Sequence, residues 1–220
     1  MKVSILGNGL TSLVLAKSLA NQGIKVDIFF GQKIKNFNDI QTLGISKSNV
    51  EFFNKHVLNI NRFLWNIDKI EIFSENFKIE KILNFENKNQ NLFSMIRNHD
   101  LYNLLLKNLH KNNLVKFKKK TGYNNLIKNN YKLIFNCDYH HPISKKFFYK
   151  KISKNYDSVA YVSTFKHKKI ANNIASQIFT KNGPLAFLPI SQTETSVVYS
   201  AKDEKNINFE ASIKKYNTKY

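Results

Sequence analysis

The stretch VSILGNGLTSLVLAKSLANQGIKVDIFF, residues 3–30, decides the fold that this sequence predicts. Val3, Ile5 and Leu6 form a short apolar run that is typical of a buried parallel strand. Apolar residues then recur at helical spacing until Gly23, and a second apolar run follows. The stretch therefore predicts a complete strand–turn–helix–strand unit of a parallel α/β sheet.

The turn between the first strand and the helix has the composition of a dinucleotide-binding loop. Its candidate cofactor-binding residues are Gly7, Asn8, Gly9, Leu10, Thr11 and Ser12. In such a loop the first glycine makes a tight turn and the second lets the backbone approach a pyrophosphate, while the helix N-terminus supplies N–H donors. The turn therefore predicts a dinucleotide site, and a βαβ unit that packs well but binds nothing is the alternative.

Two positions depart from the full dinucleotide pattern. Ser12 stands where a third Gly or Ala allows close helix–strand packing, and its side chain is small enough to be compatible. Phe30 stands at the end of the second strand, where an Asp or Glu usually binds the adenosine ribose. Asp27 is close in sequence, but strand alternation points its side chain away from that position.

Composition predicts a folded chain whose charge lies on a solvated surface. The 220 residues are 42% hydrophobic, with 18 Phe and 10 Tyr, which suits one domain or two small ones. The net charge of +20 comes almost entirely from lysine, since Arg62 and Arg97 are the only arginines. Because nucleic-acid interfaces depend on arginine, we expect no nucleic-acid partner, and weak contact with an anionic membrane stays open.

Cysteine and histidine usage excludes several kinds of site. The single Cys137 rules out a disulfide framework and a cysteine-based metal site. Of the six histidines only His140 and His141 are adjacent, and an adjacent pair rarely forms a metal site, so we predict no metal. Glycines interrupt the apolar N-terminal run, and no stretch of about 18 apolar residues is present. We therefore expect a cytoplasmic protein, with a peripheral position at the inner membrane as the alternative.

The rest of the sequence predicts two helices and a series of strands. One helix runs through Val50, Phe53 and Val57, and the other covers residues 99–112. The expected strands are a pair within residues 67–86 and single strands at 114–117, 131–135, 159–165, 175–179, 185–188 and 196–199.

Between and after these elements the sequence predicts turns and loops. A turn at residues 129–130 separates two strands, and Pro142 with its neighbouring lysines interrupts the pattern. Residues 136–138 place polar groups at the end of a strand, where open α/β sheets hold ligands. Residues 202–220 predict a frayed helix or a charged tail.

Several segments resemble the flavin-dependent aromatic hydroxylases, a family that includes the ubiquinone-biosynthesis hydroxylases and, more distantly, p-hydroxybenzoate hydroxylase. Residues 3–30 resemble its FAD-binding N-terminus, and DIQTLGIS (39–46) is similar to its D-x-R-x-x-A-L-S segment. IRN (96–98) resembles its V-x-N element before a leucine-faced helix, and LIFNCD (133–138) stands where the family carries G-A-D-G. FTKNGPLAFLPI (179–190) resembles F-x-x-x-G-P-L-A-L-L-P-L.

The resemblance implies an enzyme that binds FAD and hydroxylates a phenolic ring, a ubiquinone precursor by family analogy, with NAD(P)H and O₂. It implies an α/β fold in which a Rossmann-like FAD-binding βαβ domain, apparently truncated, is interleaved with a β-rich substrate domain. The FAD-binding domain would cover residues 1–66 and 96–145, and the substrate domain 67–95 and 146–201, before the charged tail at 202–220.

The resemblance also implies roles for individual residues. The turn at residues 7–12 would hold the pyrophosphate, Asp138 would lie near the ribityl–pyrophosphate region, and Gln41 and Arg97 would join the cofactor-binding set. Gln41 replaces the family arginine, and Tyr139 replaces the second glycine of G-A-D-G. No catalytic acid or base is identified.

Three explanations account for the missing G-D-A-A-H segment of the family: a truncated product, half of a split protein, or a degenerate paralogue. His140 and His141 follow Asp138, and a solvated loop explains them. Two other functions stay open. One is a non-catalytic scaffold that binds a protein partner in a quinone-biosynthesis complex, and the other is a Rossmann-type NAD(P)-binding oxidoreductase.

Overall fold

The chain divides into two compact units, each assembled from separated segments. The computed structural model describes residues 1–31, 40–75, 80–87, 91–119, 121–148, 150, 152–202 and 208–217. The first unit comprises Met1–Phe37, Glu51–Ile60 and His99–Lys154, and the second comprises Asn38–Val50, Asn61–Asn98 and Asn155–Tyr220. Two interleaved units agree with the predicted fold class, whereas the assignment of either unit to cofactor or substrate binding stays a prediction.

Strands and helices alternate through the first half of the chain and strands dominate the second. The strands are β1 (Lys2–Leu6), β2 (Lys25–Phe30), β3 (Thr42–Ser46), β4 (Trp65–Ile67), β5 (Lys69–Ser74), β6 (Glu80–Glu86), β7 (Phe93–Arg97), β8 (Val115–Lys119), β9 (Leu133–Asn136), β10 (Ser158–Lys166), β11 (Ile174–Thr180), β12 (Gly183–Pro189) and β13 (Glu194–Lys202). The helices are α1 (Leu10–Asn21), α2 (Lys47–Phe52), α3 (Asn98–His110), α4 (Tyr123–Lys128), α5 (Pro142–Phe147) and α6 (Phe209–Tyr216). A π-helical turn at Phe53–Val57 follows α2, and a 3₁₀ turn covers Asn61–Phe63.

The first unit contains a parallel sheet of four strands in the order β8–β2–β1–β9. β1 lies inside the sheet, where Ile5 pairs with Ile28 of β2 and Phe135 of β9. Ile5 and Ile28 are fully buried because a parallel sheet is covered on both faces. Helix α1 packs against β1 and β2. A separate core cluster joins the sheet to α4 and α5 through Leu6, Phe29, Leu126 and Ile143.

The second unit contains two sheets. The larger has the order β10–β13–β12–β11–β5–β6 and is antiparallel except between β11 and β5, while the smaller is an antiparallel β3–β7–β4 sheet. The predicted strand pair within residues 67–86 is confirmed as β5 and β6, and the four predicted C-terminal strands are confirmed as β10 to β13. Residues 42–46 and 65–67 form β3 and β4, which pair with β7, so they group with the second unit and not with the first.

Two short helices of the first unit differ from the sequence prediction. Helix α4 stands between β8 and β9, where the sequence predicts only a turn, and the two strands lie at opposite edges of the sheet. Helix α5 begins at Pro142, which the sequence pattern marks as an interruption. Proline is favoured at the first helical position because its missing N–H needs no partner there. Six residues are too few to show a helical period, so neither helix is visible in the sequence pattern.

The predicted C-terminal tail is a packed helix over the residues that the structure describes. In α6, Phe209 and Ile213 pack against the core of the larger sheet, and Tyr216 is 6% exposed. The Tyr216 hydroxyl donates a hydrogen bond to the Glu75 carboxylate at 2.6 Å. The spacing of these three side chains places them on one face of a helix, which explains why the segment docks despite its charge.

Candidate functional site

Gly7 forms the tight turn at the end of β1. Its φ of +109° is a conformation that only glycine adopts readily, and its N–H donates to the Phe29 carbonyl at 2.8 Å. A Cβ at this position would lie 3.2 Å from the Ser12 Oγ and 3.3 Å from the Asp138 Cβ. The turn therefore needs glycine both for its backbone angle and for the close approach of its neighbours.

Gly9 leaves the start of α1 open. It is the N-cap residue, with a φ of −73° and no side-chain capping hydrogen bond, and a Cβ added to it would meet no atom within 4 Å. The first helical hydrogen bond runs from the Leu13 N–H to the Gly9 carbonyl at 3.1 Å. The N–H groups of the first turn thus have no partner within the helix, and the first turn itself contains no acidic side chain. This arrangement can receive an anionic group such as a pyrophosphate.

Asp138 meets the glycine turn from the neighbouring strand. It follows β9, which pairs with β1, so both loops emerge at the carboxyl edge of the sheet. The Asp138 carboxylate accepts from the His140 N–H at 3.0 Å, and its own N–H donates to the Asn136 Oδ1 at 3.2 Å. The structure therefore brings Asp138 and Gly7 together, and hydrogen bonds within its own loop hold the carboxylate in place.

The residues after Asp138 differ from the predicted solvated loop at one position. His141 is only 3% exposed and caps α5, since its Nδ1 accepts from the Ile143 N–H at 3.2 Å. Its Nε2 is buried without a hydrogen-bond partner among the described residues. Tyr139 and His140 are exposed, as expected of a loop. Sequence gives little sign of the capping role, because histidine is not a common N-cap residue.

The end of β2 carries an aromatic pair where a ribose-binding carboxylate is usual. Phe30 packs edge-to-face on Phe117 of β8, with ring centroids 6.3 Å apart. Lys119 lies opposite Phe30 in the strand register and is exposed. The end of β2 therefore carries a cation beside the aromatic pair, where dinucleotide-binding folds usually have a ribose-binding carboxylate.

Asp27, within β2, has a structural role in the sheet. It is 2% exposed and lies 2.9 Å from the Lys2 Nζ and 2.7 Å from the Lys118 Nζ, and its carboxylate accepts from the Tyr131 hydroxyl at 2.5 Å. Burial alone would raise the pKa of Asp27, but the three hydrogen bonds hold it below its ordinary value. Burial and the Asp27 charge raise the pKa of Tyr131 to about 12. Asp27 is thus committed to three neighbours and does not replace a ribose-binding acid.

Gln41 and Arg97 belong to the second unit, and both have protein partners. The Arg97 guanidinium forms an ion pair with the carboxylate of Glu194 at the start of β13. The Gln41 Oε1 accepts from the Asn98 Nδ2 at 3.2 Å. Their cofactor-binding role stays a prediction, and Asp39 of the same segment lies outside the described residues. No local signal reveals Glu194, because it lies 97 residues from its partner.

Each unit contains one cleft worth noting. In the first unit a cleft of about 440 Å³ lies between the start of α4 and α5 and includes Tyr123, His141 and Lys146. In the second unit a cleft of about 370 Å³ is bordered by Phe93 and Ser94 of β7.

The described part of the chain holds no group of three or more His, Cys, Asp or Glu placed to bind a metal. None of its described helices is both long and apolar enough to cross a membrane.

The fold of this chain is similar to that of several solved structures, among them a probable FAD-dependent monooxygenase and two proteins solved with FAD. PqsL, a probable FAD-dependent monooxygenase from Pseudomonas aeruginosa, matches with a TM-score of 0.74 and 13% identity, over 99% of this chain and 66% of its own. HpxO from Klebsiella pneumoniae, solved with FAD and uric acid, matches with a TM-score of 0.70 and 12% identity, over 98% of this chain and 61% of its own. CtdE, solved with FAD and a substrate, matches with a TM-score of 0.68 and 14% identity, over 94% of this chain and 58% of its own.

These likenesses establish the fold and not the activity, because identities of 12–14% are low. The chain spans 58–66% of the length of these three proteins. No family model matches the sequence, and no curated protein sequence matches it.

Proposed function

We propose that this chain provides the cofactor site of a flavin-dependent monooxygenase that hydroxylates a small aromatic ring with NAD(P)H and O₂. The open N-terminus of α1 behind the Gly7–Gly9 turn carries this proposal, since a helix N-terminus that follows a glycine turn in a parallel α/β sheet commonly binds a dinucleotide pyrophosphate. The similarity of the fold to that of a probable FAD-dependent monooxygenase supports it. Solved structures of the same fold contain FAD, which supports FAD as the cofactor.

The first unit would bind the cofactor through its backbone. Gly7 makes the turn, the open space at Gly9 would admit the pyrophosphate, and the N–H groups of Leu10 and Thr11 at the start of α1 would donate to it. Bound FAD would supply the redox chemistry that the side chains lack. Gln41 and Arg97 of the second unit remain proposed cofactor ligands, and the ion pair with Glu194 would orient the Arg97 guanidinium.

An aromatic substrate follows from the same comparison. PqsL has been solved with 2-aminobenzoylacetate and HpxO with uric acid, which are both small molecules with a planar ring system. A phenolic ubiquinone precursor is our specific proposal for this chain, and it rests on the resemblance of residues 39–46 and 179–190 to the quinone-biosynthesis hydroxylases.

Flavin retention tests the proposal directly. The purified chain is mixed with FAD, freed of excess cofactor and examined by visible absorption. We expect flavin bands that the Gly9→Trp variant loses, because the indole fills the space for the pyrophosphate. Gly122→Trp is a matched control: Gly122 also caps a helix, with the same φ of −73° and the same open space at its Cβ.

The outcomes separate the remaining functions. Bound flavin that supports NADPH oxidation with a phenolic substrate would establish the monooxygenase. Absence of flavin from the wild-type chain would contradict a stand-alone enzyme and favour the scaffold, or a protein partner that completes the fold. Equal flavin retention in the Gly9 and Gly122 variants would place any bound flavin elsewhere.

A nicotinamide-dependent oxidoreductase is a second candidate that one observation favours. The absence of a carboxylate at Phe30 and the presence of Lys119 opposite it suit the 2′-phosphate of NADP(H) better than a free ribose. Titration with 2′-phospho-AMP and with AMP would test this function. A preference for the phosphorylated nucleotide that Lys119→Gln abolishes would support it, and equal affinity would contradict it.

A further inference from the structure

Residues 139–154 of the first unit have an unusual composition. They contain five lysines and no acidic residue, between Asp138 and Asp157. Apolar side chains interrupt the lysines at Phe147, Phe148 and Ile152. Such a mixture concentrates positive charge and apolar surface in one short stretch.

The structure leaves these apolar side chains uncovered. Phe147 is 50% exposed, Phe148 is 71% exposed and Ile152 is fully exposed. The ring centroid of Phe147 lies 5.4 Å from that of Tyr123. We call the described residues of this stretch the basic aromatic segment: Lys145, Lys146, Phe147, Phe148, Lys150, Ile152 and Lys154. Large apolar side chains that cluster on a surface mark an interaction site.

We propose that the basic aromatic segment docks the protein on an anionic phospholipid surface. Lysines near a membrane are attracted by the negative surface potential of anionic headgroups, while Phe and Ile side chains bury in the boundary between headgroups and acyl chains. Positive charge and aromatic surface meet at Lys146, because its Nζ lies 4.1 Å from the centroid of the Tyr123 ring and 5.7 Å from that of the Phe147 ring. The charge therefore sits directly beside the apolar surface.

Charge complementarity favours a lipid surface over other occupants. The segment has only positive charges, so a second copy of the same segment would be repelled. A nucleic acid would be read by arginine and by stacking rings, whereas this segment has no arginine and its most exposed apolar residue is the aliphatic Ile152. An aliphatic side chain gains most from an acyl environment.

Vesicle sedimentation tests the contribution of the apolar side chains of the segment to membrane binding. The protein is mixed with phosphatidylcholine vesicles that contain either no phosphatidylserine or about 30% phosphatidylserine, enough for a strong surface potential. We expect binding only to the anionic vesicles and weaker binding at high salt. Phe148→Ser with Ile152→Ser should lower the partition coefficient about tenfold. Leu83→Ser with Phe85→Ser, at two exposed positions on β6, should leave it unchanged.

A second pair of variants tests whether position or total charge matters. Lys145→Gln with Lys150→Gln should weaken binding about 25-fold, at about fivefold per lysine near the surface. Lys25→Gln with Lys132→Gln removes the same charge from exposed positions of the same unit and should have little effect. Equal losses in the two pairs would overturn the proposal. The proposal would also be overturned if the protein bound a single-stranded RNA through this segment more tightly than it binds anionic vesicles.

A fluorescent probe keeps the test independent of folding defects. In the Cys137→Ser background, Ile152→Cys is labelled with an environment-sensitive fluorophore, and the far-ultraviolet circular dichroism confirms the fold. Anionic vesicles should shift its emission to the blue, whereas the same label at Leu83→Cys should not respond. The absence of a shift at position 152 would contradict the proposal. Flavin retention is measured separately, so failure here leaves the proposed function intact.

Discussion

Gly7 and Asp138 lie in contact at the carboxyl edge of the parallel sheet, although 131 positions of sequence separate them. A Cβ on Gly7 would stand 3.3 Å from both the Cβ and the backbone nitrogen of Asp138. The loop after β9 therefore rests on the glycine turn after β1. Any side chain at position 7 would move the two loops apart and disturb the start of α1.

The first prediction concerns Gly7→Ala. The positive φ strains an alanine and its methyl group presses on the Asp138 loop, so we expect a loss of about 1–3 kcal/mol in the free energy of unfolding. Urea denaturation measures this loss. Gly44→Ala is the control, because its Cβ would meet only ordinary contacts at 3.5 Å or more. Equal unfolding midpoints for the two variants would contradict the role of Gly7.

The second prediction concerns the titration of Tyr131. Its pKa of about 12 reflects burial and the Asp27 carboxylate, so Asp27→Asn should lower it toward the ordinary value of 10.0. The ultraviolet absorbance of the phenolate measures the change, with Asp100→Asn, at a partly exposed position of α3, as the control.

The same pair makes stability depend on pH at both extremes. Tyr131 binds its proton more tightly in the folded chain, so its contribution is full below pH 10 and is lost as the pH rises from 10 to about 12. The pKa of Asp27 is lowered, so its contribution is present above its ordinary pKa of 3.8 and is lost at lower pH. Asp27→Asn should flatten both ends of the stability profile measured by urea denaturation.

The third prediction concerns the anchoring of α6 by Glu75. Hydrogen bonds from Lys215, from Tyr216 and from the Lys181 N–H lower the pKa of Glu75 to about 2. The anchoring is therefore complete above its ordinary pKa of 4.5 and weakens as the pH falls from 4.5 to about 2. Glu75→Gln should give faster hydrogen exchange in α6 at pH 7. Glu210→Gln, at an exposed position of the helix, should leave exchange nearly unchanged.

The fourth prediction compares the two arginines of the chain. Arg97→Gln leaves the Glu194 carboxylate without its partner and should lower the free energy of unfolding by about 1–2 kcal/mol. Arg62→Gln should cost less than about 0.5 kcal/mol, because Arg62 is exposed and lies over the Phe63 ring. Thermal unfolding measures both. A larger loss for Arg62→Gln would contradict the structural role of Arg97, and lost flavin binding in a stable Arg97→Gln chain would support its proposed cofactor role.

Local patterns in the sequence determined the β1–α1–β2 unit, the glycine turn and the four C-terminal strands. Each of these follows from apolar periodicity and turn residues within a few positions, which is the range over which burial leaves a pattern. Helices α4 and α5 show no such pattern in the sequence, since the six residues of each make less than two helical turns.

Only the tertiary structure decided which distant side chains meet. The contacts of Gly7 with Asp138, of Arg97 with Glu194 and of Glu75 with Tyr216 join residues roughly 100 or more positions apart. The capping role of His141 and the exposure of Phe148 likewise depend on how elements pack. Periodicity along the chain records that a residue is buried, whereas its partner is set by the packing of separate elements, which no local pattern encodes.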